Sequence, residues 1–243
     1  MGISLLHDTH LHLDLYKDIP HIISEIESLS INVIAVTNLP VLYNKLRNEI
    51  KSDFIRVALG FHPELIMEYE KYIPKMWKYI NTTKYIGEVG LDFLKKNETE
   101  CEKQMNFFQN LIRVCNSSSG KILSVHSRRS EDKVLETIGD DFQGSIIMHW
   151  YSGSLKNLDK AISYGFYFSV NSAMLNNETG RRIINKIPKD RILLESDGPF
   201  IKIQKKVVHP SNMKIIAKKV SDLLNIDEIE FHNILNENFN RLF

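Results

Sequence analysis

The sequence predicts an α/β protein of the (β/α)8 barrel type, and three observations carry that expectation. Short β-branched or apolar runs alternate with longer stretches of helical spacing from one end of the chain to the other. There are eight such runs. Their near-continuous apolar character suits a parallel sheet covered by helices, and eight strand–helix units match a chain of 243 residues. An open doubly wound sheet is the rival architecture. It is disfavoured because Asp8-Thr9-His10-Leu11-His12 closes the first run, where a glycine-rich phosphate fingerprint would stand.

Taken in order, the strands are expected over 5–12, 32–37, 55–61, 85–90, 121–126, 145–149, 165–170 and 192–196. Between the first two, Ile19, Ile22, Ile23, Ile26 and Leu29 fall on one helical face. Met105, Phe108, Leu111, Ile112 and Cys115 repeat that spacing before the fifth strand, and Met213, Ile216, Ala217, Val220, Leu223 and Leu224 repeat it after the eighth. No linker, internal repeat or low-complexity tract interrupts the alternation, so residues 1–243 read as a single domain.

Composition narrows the functional classes. With 43% hydrophobic and 25% charged residues the chain is an ordinary globular one, not disordered, collagen-like or a coiled coil. Lys plus Arg number 31 against 30 Asp plus Glu, a net +1, so any contact with a polyanion must be local or metal-mediated. Cys101 and Cys115 are too few for a disulfide framework or a cysteine-rich zinc site. No apolar run reaches the roughly 18 residues of a membrane span, and His7 and Asp8 break the start where a secretory leader needs an apolar stretch. A soluble cytoplasmic monomer is the expectation.

Side chains that do chemistry in such a barrel project from the carboxyl ends of the strands. Five of the nine histidines fall at or just beyond predicted strand ends: His10, His12, His62, His126 and His149. Glu88 lies in the fourth strand, and Glu195 and Asp197 lie at the eighth. Imidazole with carboxylate, and no thiolate, suits Zn, Mn or Mg. Residues two apart on a strand share a face, so His10 and His12 reach one ion together. One strand histidine alone says little. Many buried titratable groups converging on one mouth would repel or stay unsatisfied without a cation, so their joint occurrence points to metal.

These residues sit in segments that resemble the TatD family of metal-dependent deoxyribonucleases, in the family's order. The segments are Asp8-Thr9-His10-Leu11-His12-Leu13-Asp14, Gly60-Phe61-His62-Pro63, Ile86-Gly87-Glu88-Val89-Gly90-Leu91-Asp92, His126-Ser127-Arg128, His149-Trp150-Tyr151-Ser152-Gly153 and Leu194-Glu195-Ser196-Asp197-Gly198-Pro199. The ending Asn238-Phe239-Asn240-Arg241-Leu242-Phe243 is also similar to the family's. Within the family, Leu13-Asp14-Leu15-Tyr16, His126-Ser127-Arg128-Arg129 and residues 168–175 look more like the TatD-type nuclease of the Qat anti-phage defence systems.

The resemblance implies an amidohydrolase-like (β/α)8 metal hydrolase with two divalent ions. It assigns one to His10, His12, Glu88 and Asp197, and the other to Glu88, His126 and His149. Glu88 then bridges, where many amidohydrolases use a carboxylated lysine. Asp197 also receives a proton, and His62 serves as phosphate contact or general acid, its competing role being a turn histidine before Pro63. Arg128 either forks onto a phosphate or pairs with a carboxylate. Trp150 and Tyr151 either stack on unpaired bases or pack under a loop. Lys202, Lys205 and Lys206 form either a backbone rail or a solvated loop. Glu195 either supports a ligand or joins an additional metal site. The stretch Val207-Val208-His209-Pro210-Ser211-Asn212 departs from the longer Arg/Asn-Pro stretch usual in the family, which loosens the inference to substrate.

The leading function is thus a two-metal DNase trimming single-stranded or frayed ends, with DNA and the proteins of a defence operon as partners. The alternatives are an ester or amide hydrolase such as an aminoacyl-tRNA deacylase, and a binding subunit of a defence complex. All six ligand positions are intact, which speaks against the last.

Overall fold

The strand–helix alternation is present in the computed structural model, which describes residues 6–118 and 120–243. Leu5, where the first strand was expected to begin, lies outside the described residues. In chain order the elements are β1 (His7–Leu11), α1 (Ile19–Leu29), β2 (Asn32–Ala35), α2 (Pro40–Glu49), β3 (Ile55–Val57), α3 (Ile73–Tyr79) and β4 (Tyr85–Asp92). Then follow α4 (Glu98–Asn116), β5 (Lys121–Arg128), α5 (Glu131–Ile138), β6 (Gly144–His149), α6 (Leu155–Ser163), β7 (Tyr167–Val170) and α7 (Ser172–Leu175). The last are α8 (Glu178–Lys186), β8 (Ile192–Leu194), β9 (Lys202–Ile203), β10 (Lys206–Val207), α9 (Met213–Leu224) and α10 (Glu228–Asn240). The fold is α/β, with the strand–helix alternation expected of a (β/α)8-type chain. No helix among the described residues is long and apolar enough to cross a membrane.

Two compact units emerge, one of Met1–Ala35, Ile50–Arg56 and Phe168–Phe243, the other of Val36–Glu49 and Val57–Tyr167. In the first, β1, β2 and β3 lie in that order, with β1 parallel to β2 and Asp8 opposite Val33. β7 and β8 are likewise parallel, Phe168 opposite Ile192. Every residue of β1, β7 and β8 is buried, which is why these runs show no alternation in the sequence. α1 starts on Asp18, whose carboxylate accepts the His21 N–H, and stops at Ser30 in the left-handed region. It buries Ile22 and Ile26 but leaves Leu29 half exposed, so its apolar stripe is shorter than its sequence suggests.

In the second unit β4, β5 and β6 run parallel, with Gly90 opposite His126 and Val125 opposite Met148. The Asn97–Glu100 capping box opens α4, which buries Phe107, Phe108, Leu111, Ile112 and Cys115. Lys121 at the start of β5 is buried, its ammonium donating to the carbonyls of Ile80 and Thr83.

All eight expected strands form, but their ends differ from the expectation. β8 ends near Leu194: Glu195 N still donates to the Val170 carbonyl of β7, but beyond it Ser196 N donates to Asp8 Oδ1 and Asp197 N to the His10 carbonyl. β7 starts late because Gly165, at φ 78°, still belongs to the end of α6. β5 runs on to Arg128, so His126 sits within the strand and not at its end. The two-stranded hairpin β9–β10 was not foreseen. Gln204 and Lys205, both at positive φ, make its two-residue turn.

Candidate metal centre

In the first unit the imidazoles of His10 and His12 meet, with Nε2 atoms 3.2 Å apart. Asp197 Oδ1 stands 4.0 Å from the first and 3.7 Å from the second. All three side chains are buried. The strand places His10 and the residue just past it places His12, as the two-residue spacing requires. Asp197 is brought to them by backbone ties, its N–H donating to the His10 carbonyl while the His12 N–H donates to the Gly198 carbonyl, both near 3 Å. Its φ of 46° is unusual for a side-chain-bearing residue and is held by those ties.

Behind the ligands, Asp8 Oδ1 accepts the N–H groups of His10 and Ser196, and Thr9 Oγ1 donates to the Leu194 carbonyl. Burial pushes the Asp8 carboxyl up to about 7 against the pull of its Ser196 and His10 hydrogen bonds. Glu195 is also fully buried; its oxygens accept from the Ser169 hydroxyl and from Asn171 Nδ2, the latter at 2.7 Å. Asn171 in turn caps α7 through its Oδ1. Glu195 therefore fastens the end of β7, and neither of these two partners is one of the expected metal ligands.

The second unit gathers three imidazoles around one carboxylate oxygen. Glu88 Oε1 lies 2.7 Å from His126 Nδ1, 3.5 Å from His62 Nε2 and 3.8 Å from His149 Nε2. Glu88 is set by its backbone, N–H to the Thr37 carbonyl and C=O to the Phe61 N–H. This close approach needs Gly60, where a Cβ would come within 1.6 Å of the Thr37 carbonyl oxygen. His126 Nε2 meets Asp92 Oδ2 at 2.9 Å. Burial opposes a charge on His126, but the hydrogen bonds to Asp92 and Glu88 outweigh it and lift its pKa to about 9. Burial likewise opposes ionisation of Asp92, yet His126 and the Leu94 N–H hold that carboxyl below its ordinary value.

These donor sets fit divalent ions. Ligand nitrogens on one tetrahedral zinc are about 3.3 Å apart for bonds near 2.05 Å, close to the His10–His12 spacing. In the second unit the charge a cation would neutralise on Glu88 and Asp92 is met by the proton on His126, which a metal would displace. Asp92 then holds the other ring nitrogen, the usual support for a ligating histidine. Asp92 carries no expected role in the sequence; its position, four residues after Glu88 on β4, is the signal that puts it beside the same centre.

The remaining expected residues separate. His62 precedes a 3-10 turn, Pro63–Leu65, and its Nδ1 accepts the Glu64 N–H at 3.2 Å. Trp150 is 36% exposed, its ring edge-on to His149 at 6.3 Å, with φ at 38°. Tyr151 contradicts the stacking role. It is 1% exposed and its hydroxyl donates to the Ser154 carbonyl, with Gly153 leaving room for the ring. Arg128 is exposed at the end of β5, and its charge helps to keep Asp92 ionised. Lys202, Lys205 and Lys206 are exposed on the β9–β10 hairpin. Phe200 went unnoticed in the sequence. It is 59% exposed and its ring sits edge-on to His12 at 5.0 Å; an aromatic directly after the Gly198-Pro199 turn was the only cue.

Comparison with known proteins agrees with this picture. Residues 7–243 match the family model described as TatD related DNase. The metal-dependent hydrolase YabD of Bacillus subtilis is 26% identical, covering 98% of this chain and 99% of its own. Human deoxyribonuclease TATDN3 is 22% identical, covering 100% and 95%. The crystal structure of YJJV, a TatD homolog from Escherichia coli K12, superposes with a TM-score of 0.86 over 98% of this chain and 97% of that one, at 20% identity.

Proposed function

The chain belongs to the TatD-related DNase family and is a metal-dependent hydrolase, and from that premise we propose that it hydrolyses DNA phosphodiesters with two divalent ions, acting on single-stranded or frayed ends. The observation that carries the proposal is that each unit contains a buried or half-buried set of imidazoles converging on a buried carboxylate. In this reading His10, His12 and Asp197 hold one ion and His126 and His149 the other, with Glu88 shared between them as the family resemblance implies. When bound, such ions activate water and neutralise charge developing on phosphorus.

The protein's own groups supply the rest. Because His62 Nδ1 accepts from Glu64, a neutral His62 carries its proton on Nε2, the nitrogen turned to Glu88. That N–H is the hydrogen-bond donor we assign to a phosphate oxygen, and Asp197 is the acceptor for the proton of the attacking water. Asp92 keeps His126 in register. A net charge of +1 gives no broad surface for duplex DNA. Exposed rings at Phe200 and Trp150 beside ligand histidines suit unpaired bases instead. Arg128 and Lys202 are the backbone contacts of this reading. A defence setting rests on the resemblance of 13–16, 126–129 and 168–175 to the Qat nuclease.

The test is digestion of end-labelled single-stranded and blunt duplex DNA in Mg, Mn and Zn, with Glu88→Ala as control and an aminoacyl ester as competing substrate. Metal-dependent shortening of the single strand supports the proposal. Ester hydrolysis without DNA cleavage would replace it with the deacylase reading.

A further inference from the structure

Apart from the centre described above, the first unit holds another group of metal-ligating side chains. His21 and Glu25 stand four residues apart on α1 and so share one face. His209, from the segment leading into α9, joins them. Ligand atoms of all three lie within 4.8 Å of one another. The carboxylate is already fixed: Glu25 Oε1 accepts the Ser211 N–H at 2.7 Å, and Oε2 faces His209 Nδ1 at 3.1 Å. The His209 ring is packed edge-on against Tyr16 at 5.7 Å, and its centroid is 6.4 Å from that of His21.

We propose that His21, Glu25 and His209 form an additional divalent-cation site, of zinc type, which staples α1 to the 209–212 segment. Two imidazoles and one carboxylate, with no thiolate, are a zinc donor set with a fourth position for water. The preorganisation is unequal. Glu25 and His209 are held at close to ligand–ligand spacing, while exposed His21 has only to swing its ring inward. Partial burial works against ionisation of Glu25, but the Ser211 and His209 hydrogen bonds prevail and keep it a carboxylate. A cation near the first turn of α1 meets the unfavourable end of the helix dipole. The Asp18 carboxylate at that end offsets it. The inference is independent of the nuclease reading, since none of its three ligands belongs to that centre.

The experiment is equilibrium dialysis of the full chain against micromolar zinc at pH 7.5, comparing wild type with His21→Ala and Glu25→Gln. The expected result is one zinc equivalent fewer in each variant, whatever the wild-type total, with hydrolytic activity unchanged in His21→Ala. Zinc should also raise the melting temperature of wild type more than that of His21→Ala. Equal zinc uptake by wild type and both variants, or a difference that appears only at millimolar zinc, overturns the site. Melts of the metal-free proteins confirm that the exposed His21→Ala substitution leaves the fold intact.

Discussion

Burial of His7 makes acid stability a quantitative test of how β1 is packed. The ring is fully buried, stacks on Phe239 at 5.0 Å, and accepts the Leu194 N–H at Nε2. Burial lowers its pKa to about 3 from an ordinary 6.5. As pH falls through that window the unfolded chain takes up a proton that the folded chain refuses, so stability is lost. Between pH 7.5 and 4.5 the loss is about 2.7 kcal/mol, two pH units below the ordinary value at roughly 1.36 kcal/mol each. For a chain of this size that is about 5–11 °C in melting temperature.

The neighbouring Asp8 works in the opposite sense. Its folded pKa is raised to about 7, so the cost of burying it is relieved as pH falls over the same range. The wild-type profile alone therefore hides both effects, and the informative quantity is the difference from His7→Phe. That variant lacks the titration and leaves the Leu194 N–H without its acceptor, a pH-independent cost of roughly 1–3 kcal/mol. Urea unfolding in EDTA, followed by circular dichroism from pH 7.5 to 4.5, should show wild type losing about 2.7 kcal/mol relative to the variant. Parallel profiles would refute the reasoning, because they would mean that His7 is charged or hydrated in the fold.

Glu88→Ala should abolish hydrolysis in every metal while the far-ultraviolet spectrum is kept, and near-wild-type turnover would dispose of a shared carboxylate. Asp92→Asn should lower metal affinity or activity by about 10- to 100-fold, since the ring of His126 loses its carboxylate support; isothermal titration and turnover measure it. Phe200→Ala and Trp150→Ala should each weaken single-strand cleavage by roughly 5- to 150-fold, the worth of about 1–3 kcal/mol of base stacking, and spare a small phosphodiester. Tyr151→Phe should leave substrate preference unchanged, because its ring is buried. Gly60→Ala should destabilise by more than about 3 kcal/mol in thermal melts, as its methyl would collide with the Thr37 carbonyl.

The eight strand–helix units, most of the buried faces of α4 and α9 and the chemistry of the ligands are legible in the sequence, because these depend on period and side-chain type; the short β9–β10 hairpin is not. His10 and His12 meet because two residues on a strand share a face, a local rule that any reader of the sequence can apply. What the tertiary structure decided depends on groups far apart in the chain. Tyr151 and Trp150 are adjacent aromatics, yet one is buried under Gly153 and the other exposed, since only packing chooses between them. Asp92 and His126 are 34 positions apart and pair because β4 and β5 lie side by side. Glu195 spends its charge on Ser169 and Asn171, and Asp197 is turned to the histidines by hydrogen bonds with β1. Periodicity reports which face a residue occupies, but not which distant donor will satisfy it there; that is fixed when the backbone groups of 194–198 find their partners in β1.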